Sequence, residues 1–271
     1  MSVRIRGVYA TALTALLENV VQASPPIRER FDADFPVAPA AATVETTGDR
    51  QGVCVAGDRD RVAAVTDRLR GVGRDTLTWV ADLPRGAVYA GEITGTLGGG
   101  AVVDVGDGEG YLPYSKTARH VEEGDRLRVQ VEEPSPPWAD GRPVLDTTVR
   151  VHGPLVGLVR GGTATATGPE LADLVGTDPP EGWAPDWGRA SDDASLDALD
   201  AALDTAGERA RALDEALADG PPPAEDAPHR YDDGDSSRWV WFGRESRFAL
   251  DGHRRAVVET MAGHHRVKAA T

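Results

Sequence analysis

The stretch Gly86–Arg160 constrains this chain more than any other. It opens GAVYAGEITGTLGGGAVVDVGDGEGYLPYSK and closes DGRPVLDTTVRVHGPLVGLVR, with Gly and Asp-Gly turns between short segments. Val88, Ala90, Glu92 and Thr94 alternate with Tyr89, Gly91, Ile93 and Gly95, the period-two rhythm of a strand. Gly100–Gly106 is a compact apolar strand, Asp107-Gly108 is a tight turn, and Gly110–Pro113 returns. Arg126–Glu133 alternates Arg126, Arg128 and Gln130 with Leu127, Val129 and Val131, and Pro143–Val151 ends the set. Five short strands in about 65 residues favour a closed barrel, because closure removes exposed strand edges. A five-stranded OB-type barrel is a common carrier of single-stranded nucleic acid.

The flanks differ in kind. Val8–Val21 reads as a helix with a stripe of Leu13, Leu16, Leu17, Val20 and Val21, stopped by Pro25-Pro26. Ala42–Thr47, Gly52–Ala56 and Thr76–Val80 read as strands. Asp58 is placed to cap a helix over Arg59–Arg70. Residues 1–85 are therefore expected to form a small α/β unit, and 86–160 the barrel. Residues 161–237 read as an acidic linker with an embedded helix, Ser195–Ala218. In that helix Leu196, Leu199, Leu203, Ala206, Ala210, Leu213 and Leu217 keep a heptad seam. The seam docks either on its own chain or on a second copy. Gly220–Asp235, rich in Pro and acids, reads as disordered linker. Residues 238–271 resume with an apolar strand, Trp239–Phe242, and a helix, Phe248–Met261, and read as the start of a further domain. The expected fold class is α+β.

Charge bears on function. The net charge is -15, and Lys116 and Lys268 are the only lysines among 29 basic residues. An acid-rich, lysine-poor composition reads as adaptation to molar salt. There the Debye length falls to about 3 Å and counterion release adds little affinity. A nucleic-acid binder in that solvent relies on stacking, hydrogen bonds and shape. Residues 161–237 hold 19 acids and 4 bases, while the barrel segment is only mildly acidic. The single cysteine, Cys54, excludes an internal disulfide and fits a reducing cytoplasm. No run of 18 apolar residues offers a membrane span.

The motifs GAVYAGEIT, AVVDVG, EGYLPYS, VQVEEP and DGRPVLDTTVRV resemble the RNA-binding OB domain of the RNase E/G type. With RIRGVYATALTALL, TTGDRQGVCVAG and LDGHRRAVVETMAGHHRVKA, the whole resembles the archaeal AU-rich-RNA-binding ribonuclease family (FAU type). The resemblance covers roughly 4–160 and 239–270, and in that family a motif like GHHRVKA opens a further C-terminal domain, so the chain is expected to lack most of that domain. It implies an endoribonuclease acting on ribosomal RNA precursors, with a preference for AU-rich single-stranded loops. It also implies that aromatics at Tyr89 and Tyr111 face RNA. A loose match at Gly188–Ser191 makes Arg189 a phosphate candidate.

Tyr89, Tyr111 and Tyr114 are the barrel's stacking candidates, since bases stack on such rings without needing net charge. Lys116, Arg119 and Arg142, with Arg126 and Arg128, are candidates for phosphate contact. Gly95–Gly100 lacks the Lys-Ser/Thr and helix of a phosphate loop and reads as a hairpin turn. His253, Glu259, His264 and His265 lack metal-ligand spacing, so no metal site and no cofactor are assigned. Magnesium is the candidate ion if the chain is catalytic. No catalytic residue is identified. The alternatives to a ribonuclease are a non-catalytic RNA-binding module, and an assembly element that makes homo-oligomers through the 195–218 helix.

Overall fold

The computed structural model describes residues 2–162 and 174–260. The chain divides into two compact units. One is built from residues up to Val80 together with those from Ser236 onward; the other is Ala81–Asp235.

The first unit is a five-stranded mixed sheet with helices packed on it. Its strands are β1 (Val3–Arg6), β2 (Ala42–Thr46), β3 (Gly52–Gly57), β4 (Thr76–Val80) and β14 (Ser236–Phe242), in the order β1-β2-β3-β14-β4. The helices are α1 (Ala10–Leu16), α2 (Pro25–Phe31), α3 (Arg59–Arg70) and α5 (Arg244–Thr260). Val3, Leu13, Val55, Val62, Val240 and Phe242 sit in one buried core. As expected, Asp58 caps α3: its Oδ1 accepts from the backbone N–H groups of Asp60 and Arg61, both at 3.1 Å.

Three readings change here. The helix expected over Val8–Val21 covers only Ala10–Leu16, because Leu17 turns extended and Asn19 takes φ 56°, returning Val20 to bridge Val3. Pro25 and Pro26 open α2 instead of closing a helix; at the first positions of a helix the missing N–H costs nothing. The Trp239–Phe242 strand does not start a separate domain. As part of β14 it lies between β3 and β4, with Trp239 opposite both Cys54 and Trp79.

The second unit is a closed barrel carrying a small sheet and a long helix. Its strands β5 (Val88–Leu97), β6 (Gly100–Asp104), β7 (Glu109–Pro113), β8 (Arg126–Glu133) and β9 (Val144–Asp146) run in the order β5-β6-β7-β9-β8, and β8 closes on β5. All neighbours are antiparallel except β7 and β9, which pair in parallel at Tyr111 and Val144. This is an OB-type barrel, filled by Ile93, Val103, Leu112, Val129 and Leu145.

A second strand of cover lies outside it. β13 (His229–Asp232) pairs with the first half of β5. The segment read as disordered linker thus contains a strand, stabilised by Arg128 over the Tyr231 ring, 5.1 Å from its centre. Strands β10 (Arg150–Val151), β11 (Val156–Arg160) and β12 (Trp183–Trp187) form a three-stranded antiparallel sheet. The helix α4 (Leu196–Asp219) packs on β10, β11 and β13. It buries Leu199, Leu203, Ala206, Ala210, Leu213 and Leu217 of the heptad seam. The seam is occupied by its own chain, so these leucines are not presented to a second helix. Trp183 fixes the register by donating from Nε1 to Asp214 of α4 at 2.7 Å.

One buried side chain ties the small sheet to the barrel wall. Gln130 of β8 donates to the carbonyls of Gly86 and Arg150, both at 2.9 Å, and accepts from Arg150 N at 2.7 Å.

Candidate nucleic-acid interface

The outer side of β5, β6 and β7 carries Tyr111, one of the predicted stacking residues. Alternation puts Ala101, Val103, Gly110 and Leu112 inward, so Gly100, Val102, Tyr111 and Pro113 face out. One crossing row reads Gly95, Val102, Tyr111, Val144 and the next reads Leu97, Gly100, Pro113. Glycines floor this face. A Cβ on Gly100 would lie 2.6 Å from Cζ of Tyr111, so only glycine lets the ring lie down on the neighbouring strand. Gly98, at φ +58°, makes the hairpin turn that carries the face to its tip. Leu97 at that tip is 55% exposed, a large apolar side chain turned to solvent.

The predicted site residues separate into three groups. Tyr111 is half-buried on this face, and Tyr114 is 40% exposed in the short helical turn after β7. Both adjoin the hairpin: Tyr114 N donates to Gly99 O at 2.9 Å, and the Tyr111 Oη lies near Gly99. Tyr89 is elsewhere. It is fully buried in the barrel core, its Oη has no hydrogen-bond partner, and burial pushes its pKa up to about 12. A ring with no exposed face cannot stack a base in this structure, and the expectation for Tyr89 is corrected on that ground. Its signal was present: Tyr89 shares strand parity with Ile93, which faces the core.

The cations also divide. Lys116 Nζ donates to the buried Asp146 at 2.9 Å, and Arg142 donates through Nε and Nη2 to Glu109 at 3.0 and 2.9 Å. Both are held by carboxylates. Arg119 is exposed and lines a cleft of about 490 Å³ with Arg126, Arg128, Thr147 and Pro222–Ala224. Arg189 is exposed in a short helical turn. One aromatic escaped notice: Trp138, half-buried in the loop between β8 and β9. The end of that loop reaches Tyr111, whose N–H donates to Pro143 O at 2.8 Å. A tryptophan in a Pro- and Gly-rich loop beside the barrel face was the available signal.

Among the described residues, no group of three or more His, Cys, Asp or Glu side chains could hold a metal ion. His264 and His265 lie outside the described residues. Among the described residues no helix is long and apolar enough to cross a membrane.

No family model matches the chain. Curated relatives do, over almost all of it. A probable ribonuclease FAU-1 of Haloarcula marismortui is 60% identical across 99% of this chain and 59% of its own length. That of Natronomonas pharaonis is 53% identical across 100% of this chain and 60% of its own, and that of Halobacterium salinarum 46% across 99% and 60%. The chain belongs to the FAU-1 family. It spans about 60% of the length of these FAU-1 relatives, and the match includes the whole barrel.

Proposed function

We propose that this chain binds single-stranded RNA across the β5–β7 face of its barrel, with Tyr111 and Tyr114 as the stacking residues. The observation that carries the reading is a glycine-floored, aromatic-bearing OB face in a member of a family whose curated relatives are called probable ribonucleases. The bound class is unpaired RNA, because rings and glycines accept the faces of splayed bases. The finer reading is an endoribonuclease that acts in the cytoplasm on AU-rich loops of ribosomal RNA precursors. The acid-rich, lysine-poor composition supports work in concentrated salt, where stacking outlasts charge. Arg119 and its cleft are the first phosphate contact to examine, since Lys116 and Arg142 are already paired.

The test is anisotropy with a labelled RNA hairpin carrying an AU-rich loop, in 2 M KCl, beside the same hairpin with a GC-rich loop and a fully paired duplex. Tighter binding of the AU-rich loop, weakened by Tyr111→Ala, is the expected result. Equal affinity for all three RNAs would remove the loop preference, and no binding of any would overturn the RNA reading.

A further inference from the structure

The far end of β8 holds a second cluster that the stacking face does not use. Glu132 follows Gln130 on the outer side of β8, and His152 follows Arg150 just beyond β10. The Gln130 clamp on Gly86 and Arg150 therefore brings three backbone segments together. His152 Nε2 lies 3.6 Å from Glu132 Oε2, and neither atom has another partner although both are buried. The His152 side chain keeps 24% of its surface exposed. The imidazole thus turns one nitrogen to a carboxylate and keeps part of its ring open to solvent. Around it stand the positive Arg85, whose Nε donates to the Glu132 carbonyl at 3.0 Å, and Arg150. Asp186 of β12 lies 4.0 Å from Arg150.

We propose that His152 is the general base of a metal-free RNA strand cleavage, with Glu132 as its positioning residue and Arg150 as the phosphate contact. The proposal rests on the RNA-binding reading above and adds the chemistry to it. His152 Nδ1 takes the proton of a ribose 2′-hydroxyl. The 2′-oxygen forms a bond to the adjacent phosphorus as the bond from phosphorus to the 5′-oxygen breaks. The leaving oxygen takes its proton from solvent, and the imidazolium returns its proton to solvent. The products are a 2′,3′-cyclic phosphate and a 5′-hydroxyl, and no metal or redox partner is required. Glu132 fixes the tautomer with Nε2–H inward and stabilises the imidazolium as it forms. Arg150 neutralises charge that builds on the phosphate, and Arg85 adds a fixed positive charge beside it.

Two further observations fit this assignment. Burial lowers the His152 pKa, with Arg85 and Arg150 acting the same way against Glu132 and Asp186, so at neutral pH the ring is neutral and free to take a proton. In addition, Val144 is opposite both Tyr111 of β7 and Glu133 of β8, so β9 alone separates the strand that carries Tyr111 from the strand that carries Glu132.

The experiment incubates the 271-residue chain with end-labelled hairpin RNA in 2 M KCl and EDTA, and identifies the product ends. Expected are cuts with cyclic-phosphate and 5′-hydroxyl ends, abolished when the ribose at the cut carries 2′-deoxy. That substituted RNA tests the step without altering the protein. His152→Gln is expected to slow cleavage by about 10²-fold or more with RNA affinity unchanged. Glu132→Gln is expected to slow it and to move the rising limb of the pH profile to lower pH, because loss of the carboxylate lowers the His152 pKa further. RNA that binds but stays intact would overturn the proposal and leave the binding reading standing. So would cuts with 5′-phosphate ends, or cuts indifferent to the 2′-deoxy substitution. RNA that does not bind would sink both.

Discussion

Tyr111 lies over Gly100 and is only half-buried, so its removal touches the proposed binding face more than the core. Tyr111→Ala is expected to weaken RNA binding by about 1–3 kcal/mol, measured by anisotropy in 2 M KCl. Tyr89 is the opposite case. Its buried Oη has no partner, so Tyr89→Phe is expected to leave RNA affinity unchanged and to raise stability by up to about 1 kcal/mol in a thermal melt. Asp146 carries the pH dependence at this scale. Burial alone would raise its pKa, but bonds from Thr148 N and Lys116 hold it below the usual carboxylate range. Its folded pKa is the lower one, so its contribution is present above about pH 4 and disappears as pH falls through the depressed value. Acid titration followed by circular dichroism should show a steeper loss for the wild type than for Lys116→Met. The residues that could touch RNA were legible as types. Which of them were free was not, because pairing of Lys116 with Asp146 and of Arg142 with Glu109 joins residues 30 and 33 positions apart.

The elements obey local rules where local rules suffice. The Asp58 cap, the β5–β6 hairpin and the parity of β8 were all readable, because a cap, a glycine turn and a period of two act over a few residues. The heptad seam of α4 was readable as a pattern but not as a partner. Its leucines fit a second copy or a sheet equally well by periodicity, and the sheet formed by β10 and β11 takes them. Leu203→Ala is therefore expected to cost about 2–5 kcal/mol in a denaturant titration. Light scattering should find the mass of the folded variant equal to that of the wild type. β13 was invisible because three of its four residues, His229, Arg230 and Asp232, are polar or charged, and its edge partner β5 stands about 140 positions earlier, where no short-range pattern reaches.

At the scale of the whole molecule, the chain leaves one unit after β4 and re-enters it at β14. A fragment ending at residue 80 would lack the strand that β3 and β4 both pair with, and it is expected to show no cooperative thermal transition. A fragment of 81–235 contains every barrel strand and its cover, and is expected to melt cooperatively. The net charge of -15 sets the other prediction. Self-repulsion opposes the folded state at low salt, and the Debye length shrinks from about 10 Å at 0.1 M to about 3 Å at 1 M. The melting temperature should rise steadily between 0.1 and 2 M KCl, and a flat profile would count against the salt-adapted reading.

The sequence by itself determined the barrel, the caps and turns, the acid-rich and lysine-poor charge and the family likeness, since each rests on residue types rather than on distant contacts. The tertiary structure alone decided three things: that β14 completes the first sheet, that Lys116 and Arg142 are held by Asp146 and Glu109, and that Glu132 meets His152. Each depends on chain segments brought together over long separations by backbone pairing and burial, and period, propensity and composition carry no record of which distant strand will be the neighbour.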